Sequence, residues 1–226
     1  MTVIALQLQA VLQRVAQACQ ACGRAPTDVT LLAVSKTFGP EAVRAAAAAG
    51  QRAFGENYIR EAVDKMAALQ GLGLEWHCIG PIQGNKTRLV AEHFAWAQTV
   101  DRLRIAERLS EQRPPHLPPL QVCLQVNIDG GATKSGAAPD EVPELARAVA
   151  ALPGLRLRGL MCIPDPQPDA RQRVEVFARA RRLYDALRAD GLALDTLSMG
   201  MSGDLEEAIE AGSTMVRVGT AIFGAR

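Results

Sequence analysis

From residue 30 onward, short apolar runs alternate with helix-like segments to the end of the chain. The runs read as strands because they are brief, rich in branched and aromatic residues, and bounded by turn-forming residues. They are Thr30 to Ser35, Arg52 to Gly55, Leu74 to Ile79, Phe94 to Val100, Leu120 to Val126, Leu155 to Met161, Leu194 to Met199 and Met215 to Val218, eight in all. Seven helical segments fall between them: Pro40 to Ala49, Asn57 to Leu69, Asn85 to Glu92, Arg102 to Gln112, Glu141 to Leu152, Arg171 to Ala189 and Asp204 to Ala211. Such alternation is the pattern of a parallel sheet wrapped by helices. Eight strands predict a single (β/α)8 TIM-type barrel of the α/β class, with an open doubly wound sheet as the alternative. An eight-stranded barrel needs eight covering helices, so one interface is left bare. Val3, Ile4, Leu6, Val11, Leu12 and Val15 recur at helical spacing, and the additional N-terminal helix they predict can fill the gap.

Breakers fall where the barrel needs loops, at Phe38-Gly39-Pro40, Gly71-Leu72-Gly73, Pro114 to Pro119, Asp129-Gly130-Gly131 and Pro164 to Pro168. None is long enough to be an interdomain linker, so residues 1–226 read as one domain. Composition agrees, with 48% hydrophobic and 22% charged residues. The net charge is +1 and the basic residues are scattered, which argues against a nucleic-acid partner. The N-terminal helix lacks a basic leader region and a small-residue cleavage site, and no run reaches the ~18 apolar residues of a membrane span. Five cysteines, three of them (Cys78, Cys123, Cys162) inside apolar runs, suit reduced thiols and a cytoplasmic location. Cys19 and Cys22 form a Cys-x-x-Cys, yet they sit at a helix end without a preceding strand or a second ligand pair. No exposed apolar stripe is evident, and the chain reads as a monomer.

In a parallel barrel, chemistry collects where strands end. Lys36 directly follows the apolar run Leu31-Leu32-Ala33-Val34. A lysine amine partly withdrawn from water there is more readily neutral, the form that attacks an aldehyde; the plain alternative is a strand-end lysine reaching solvent. The loops after strands seven and eight commonly hold phosphate in this fold. Met199-Gly200-Met201-Ser202-Gly203-Asp204 leads straight into a helix, with Ser202 or Asp204 as candidate N-caps, and Gly219 and Thr220 follow strand eight. Turn formation alone would also explain these glycines. Strands one, seven and eight are neighbours around a barrel, so a phosphorylated aldehyde fits between Lys36 and the two loops. Arg217, pointing inward from strand eight, could donate to the pyridine nitrogen of pyridoxal 5′-phosphate (PLP), keeping that nitrogen unprotonated and the ring a poor electron sink. A structural ion pair is the alternative for Arg217. His77 reads as a hydrogen-bonded core residue, and His77, His93 and His116 assemble no metal site. No phosphate-binding P-loop, nucleophile elbow or dinucleotide fingerprint is present.

These residues sit in a wider set of motifs: Ala33-Val34-Ser35-Lys36, Phe54-Gly55-Glu56-Asn57-Tyr58, Trp76-His77-Cys78-Ile79-Gly80 with Gln83-Gly84-Asn85-Lys86, Lys134-Ser135-Gly136, Gly159-Leu160-Met161, Ser198 to Asp204, and Arg217-Val218-Gly219-Thr220. In combination they resemble the pyridoxal phosphate homeostasis proteins (the YggS/PROSC family), relatives of the alanine racemase N-terminal barrel. The resemblance covers nearly the whole chain. It implies Lys36 as the lysine that carries PLP as a Schiff base, with Asn57, Met199, Ser202, Arg217, Gly219 and Thr220 as further cofactor-binding residues. It implies no catalytic residues, and a role in intracellular vitamin B6 balance without known turnover. The Gly130-Gly131 turn before Lys134 and the residues Cys78 and Cys162 depart from the family's expected pattern.

Related racemases supply a tyrosine from a second domain to the opposite cofactor face. No second domain is expected here, and Tyr58 and Tyr184 fall inside predicted helices. A PLP carrier is therefore the expected function, a weak PLP enzyme such as an amino-acid racemase the alternative, and a class I aldolase-like Schiff-base enzyme a third. Apo forms of PLP-dependent enzymes are candidate recipients. Lys134, beyond strand five, is either a transient PLP acceptor or a solvated loop lysine.

Overall fold

The computed structural model describes residues 2–131 and 135–224. Helix α1 (Val3–Ala21) precedes a regular alternation: β1 (Thr30–Val34), α2 (Pro40–Ala48), β2 (Ala53–Glu56), α3 (Ile59–Ala68), β3 (Glu75–Cys78), α4 (Thr87–His93), β4 (Trp96–Val100) and α5 (Leu103–Gln112). The second half continues with β5 (Leu120–Gln125), α6 (Val142–Ala150), β6 (Leu155–Met161), α7 (Ala170–Ala189), β7 (Thr196–Ser198), α8 (Leu205–Glu210), β8 (Met215–Val218) and α9 (Thr220–Phe223). All eight strands are parallel, and β8 pairs with β1, so the sheet closes into the expected (β/α)8 barrel rather than an open sheet.

The helix α1 packs against α8, α9 and α2, covering the seam that strand and helix numbers left open. Thr2 caps it by accepting from the Ala5 N–H, and Leu8, Val11, Val15 and Cys19 form its buried face. Sequence patterning did not show α9, a single turn beginning directly after β8. Nor did it show where α3 starts: Asn57 and Tyr58 precede the helix, and Tyr58 is exposed.

Because side chains alternate along a strand, each strand contributes one set to the barrel interior and one to the layer beneath the helices. Leu32, Val34, Ala53, Ile79 and Met215 make one interior cluster and Trp96, Cys123 and Met161 another. The outer set, including Leu31, Ala33, Phe54, Val122, Leu160, Val216 and Val218, merges with helix residues into the main core. His77, Gln98, Ser198 and Arg217 are buried polar residues on the inner register. The His77 ring stacks on Trp96 with centroids 5.0 Å apart and lies within hydrogen-bond reach of Glu75 and Gln98. It is a hydrogen-bonded core histidine, as its apolar strand context suggested.

Gly80, just past β3, marks a close approach. A Cβ there would lie 2.1 Å from the Asn57 carbonyl oxygen, so no other residue lets this loop rest on the Asn57 backbone. All five cysteines are free, and the Cys22 Sγ–H donates to the Ala18 carbonyl. Among the described residues no cluster of His, Cys, Asp and Glu could hold a metal, and no helix is long and apolar enough to cross a membrane.

Two expectations follow. Leu8→Ala empties a fully buried position under the seam and should cost about 2–5 kcal/mol in urea unfolding. Burial pushes the His77 imidazole below its ordinary value, so the unfolded chain takes up the proton first and stability falls as pH drops through about 6.5. The fall is at most about 1.4 kcal/mol per pH unit, and His77→Gln should flatten it in urea midpoints measured between about pH 7 and 5.

Candidate cofactor site at the barrel mouth

A cavity of about 310 Å³ opens at the C-terminal ends of the strands, near the lower end of the usual range for small-molecule sites. Lys36, Asn57, Ser202, Arg217, Gly219 and Thr220 line it together with Val34, Ile79 and Ile163. Residues from opposite ends of the sequence meet here because β1 and β8 are register partners, with Leu32 beside Arg217 and Ala33 beside Val218. The close approach continues past the strands. A Cβ on Gly219 would stand 3.0 Å from the Val34 carbonyl oxygen, so a small residue is needed where the two strand ends converge.

Lys36 is the lysine among the residues lining the cavity. Its backbone is fixed from both sides. Ser35 donates its hydroxyl to Glu56 Oε1 at 2.6 Å, and Lys65 donates to Glu56 Oε1 at 2.6 Å and to the Ser35 carbonyl at 2.9 Å. Thr37, on the other side, is the non-glycine residue with positive φ among those described, at 67°. That conformation costs of order 1–3 kcal/mol and persists where surroundings hold it. Glu61 holds it by accepting from the Thr37 N–H at 2.8 Å, and Glu61 also pairs with Lys65 at 3.3 Å. Burial pushes the Glu56 carboxyl up, against the pull of Lys65 and Ser35. The local signal for Lys65 is that Ile59, Ala62 and Lys65 recur at three-residue intervals on the buried face of α3.

Opposite Lys36, the turn after β7 is shaped by Gly200, whose φ is 93° and whose Cβ would fall 2.5 Å from that of Ala208. Asp204 stands at the N-cap position of α8, but its carboxylate turns back to accept from the Met201 N–H at 2.6 Å, so the expected capping of α8 by Ser202 or Asp204 is not made. Instead the carboxylate closes the 201–204 turn. Arg14 of α1 braces that turn from behind, donating to the Ser202 carbonyl and to Glu206. The Ser202 and Gly203 N–H groups take part in no hydrogen bond with the described residues. Gly219 and Thr220 begin α9, where the first amides of a helix likewise lack intrahelical acceptors.

Arg217 is 4% exposed and donates to Ser198 Oγ at 2.8 Å and to the Cys162 carbonyl at 2.9 Å. It forms no ion pair among the described residues, contrary to the structural alternative for this residue. Met199 is not brought to the cavity. Since Ser198 faces the interior, alternation turns Met199 into the outer apolar layer, where it is fully buried. Lys134 lies outside the described residues.

Residues 6–226 match the family model described as the alanine racemase N-terminal domain. The pyridoxal phosphate homeostasis protein of Pseudomonas aeruginosa PAO1 is 59% identical over 226 residues, covering 100% of this chain and 97% of the relative, and that of Escherichia coli K12 is 55% identical over 99% and 97%. The chain belongs to the pyridoxal phosphate homeostasis protein family. Among solved structures, PipY of Synechococcus elongatus PCC7942 with PLP bound superposes with a TM-score of 0.84 at 37% identity, covering 98% of this chain and 100% of that one.

The Lys65 cluster yields a stability prediction. Lys65→Met strands a buried carboxylate and should cost about 3–5 kcal/mol in urea unfolding, whereas Lys65→Met combined with Glu56→Leu should recover much of that loss.

Proposed function

We propose that this protein binds PLP covalently at Lys36 and serves intracellular PLP homeostasis as a carrier without a dedicated reaction. One observation carries the reading: the cavity presents a lysine amine, a buried guanidinium and an open set of backbone amides from separate elements around apolar walls. When bound, PLP supplies an aldehyde for a primary amine, a pyridine nitrogen and a phosphate dianion. The residues present fit those three features. The Lys36 amine is the group that would hold the aldehyde carbon, with its backbone held by Ser35 and Thr37. Amides and hydroxyls of Ser202, Gly203, Gly219 and Thr220 would hold phosphate, and Val34, Ile79 and Ile163 offer apolar flanks to a flat ring. Asn57 borders the same space, and its Oδ1 is buried without a partner among the described residues, an acceptor open to a ligand donor.

Arg217 argues for a carrier. A permanently charged guanidinium donates and does not accept, so it favours a pyridine nitrogen without a proton and leaves the ring a weak sink for electrons. Apart from Lys36, no His, Cys, Tyr or carboxylate side chain belongs to the described residues lining the cavity, so the second acid or base that proton exchange at carbon requires is missing from that set. The names of the relatives and the PLP bound to PipY support the same reading. Residues 1–226 would act as one cofactor-binding unit in the cytoplasm, where free thiols persist, with apo forms of PLP-dependent enzymes as recipients.

The purified protein should be yellow, and borohydride should fix the cofactor on the Lys36 peptide; Lys36→Ala should remove both the colour and the trapped adduct. Amino-acid racemisation should not exceed that of free PLP. Stereospecific turnover lost in Lys36→Ala would overturn the carrier reading, and a colourless protein trapped only by sugar phosphates would point to aldolase-type chemistry.

A further inference from the structure

The interior of the barrel contains a polar path that starts at Arg217 and leaves the cavity behind. Arg217 Nη1 donates to Ser198 Oγ at 2.8 Å, and Ser198 Oγ donates to Gln98 Oε1 at 2.7 Å. Gln98 Nε2 lies 2.9 Å from His77 Nδ1, and His77 Nε2 lies 2.9 Å from Glu75 Oε1. The path crosses β8, β7, β4 and β3 and ends on a carboxylate that is 45% exposed at the far end of the barrel. Ser198, Gln98 and His77 are fully buried, so water does not substitute for any of the inner links.

Donor chemistry fixes the two ends, because the guanidinium only donates and the Glu75 carboxylate only accepts, and a neutral His77 ring fixes the links between them. Ser198 Oγ accepts from Arg217, and its own proton goes to Gln98. Gln98 then has its carbonyl oxygen toward Ser198 and its amide N–H groups toward His77. His77 Nδ1 must accept, so the imidazole proton sits on Nε2 and points to Glu75. The neutral ring that this order demands agrees with the burial of His77. A buried cation at one end thus connects to a carboxylate at the other through aligned neutral dipoles, an arrangement in which each bond strengthens the next.

We propose that Gln98 and His77 are positioning residues for the cofactor, holding the Arg217 guanidinium at the cavity floor through this one-way hydrogen-bond chain. The inference rests on the reading that PLP occupies the cavity with its pyridine nitrogen toward Arg217. Neither residue lines the cavity. Breaking the chain frees the Ser198 hydroxyl to rotate and weakens one of the two contacts that set the direction of the Arg217 N–H groups, leaving the Cys162 carbonyl as the other. Arg217 is the donor at the head of the chain, so a pyridine nitrogen beside it can only accept, through a second link that leaves the same guanidinium in the other direction.

The test compares Gln98→Met, which keeps length but removes the hydrogen bonds, and Ser198→Ala with Cys123→Ala, an interior substitution off the path. Melting temperature, the PLP dissociation constant and the absorbance maximum of bound PLP are measured for each. The two path variants should bind PLP about tenfold or more weakly, the scale of one lost charge-assisted hydrogen bond, and shift the absorbance maximum. Cys123→Ala should lower the melting temperature and leave both cofactor readouts unchanged. Unaltered affinity and spectrum in Ser198→Ala and in whichever path variants fold, or an equal change in Cys123→Ala, would overturn the proposal. Imidazole ¹⁵N spectra of the cofactor-free protein give an independent arm: His77 should appear as the neutral ring protonated on Nε2, with its Nδ1 signal displaced in Gln98→Met. A ring protonated on Nδ1 would refute the chain. Failure of the wild type to take up PLP would instead remove the proposed function while leaving this arm to decide the chain.

Discussion

The pairing of β8 with β1 is the constraint on which the molecule depends. Four register partners, from Thr30 with Met215 to Ala33 with Val218, turn an array of strand–helix units into a closed barrel. They also bring residues near position 36 against residues near position 217. The seam is short and must be supported from outside, which is the task of α1, packed on α8 and α9, and of Arg14, which reaches from α1 to the Ser202 carbonyl. Fold closure and site assembly are therefore one event. A chain that failed to close this seam would have neither a complete core nor the cavity at the barrel mouth.

Polar groups buried around the site are costly unless partnered, and two separate systems partner most of those flanking Lys36 and Arg217. Outside the barrel wall, Glu56, Lys65 and Glu61 tie Ser35 and Thr37 to α3 and hold the strained backbone beside Lys36. Inside the wall, Ser198 and the Cys162 carbonyl hold Arg217. The first system fixes the backbone on either side of Lys36 and the second holds a guanidinium. Lys36 follows β1 and Arg217 lies on β8, so the same seam carries both.

The architecture was legible in the sequence because a parallel strand buried on both faces leaves a short apolar run, and every such run became a strand. That Lys36, Arg217, Gly219 and Thr220 lie together at the mouth cavity was legible because strand ends in this fold face the mouth. Met199 was assigned to the site by its place in a motif, yet alternation after Ser198 turns it into the outer layer. The Asp204 carboxylate was expected to cap α8, but the tight turn at Gly200 places the Met201 N–H within its reach instead. The path from Arg217 through Gln98 to Glu75 left no local pattern that singled it out, and Lys65 showed only its place on the buried spacing of α3. Lys65 and Glu56 are 9 residues apart and Ser198 and Gln98 are 100 apart, and the barrel register brings each pair together.

A crystal structure of the protein grown with PLP tests the central claim most directly. Continuous density from Lys36 Nζ to the cofactor, with phosphate on the amides of Ser202, Gly203, Gly219 and Thr220 and the pyridine nitrogen on Arg217, is the expected result. Cofactor density joined to another lysine, or a phosphate placed away from the β7 and β8 loops, would contradict it.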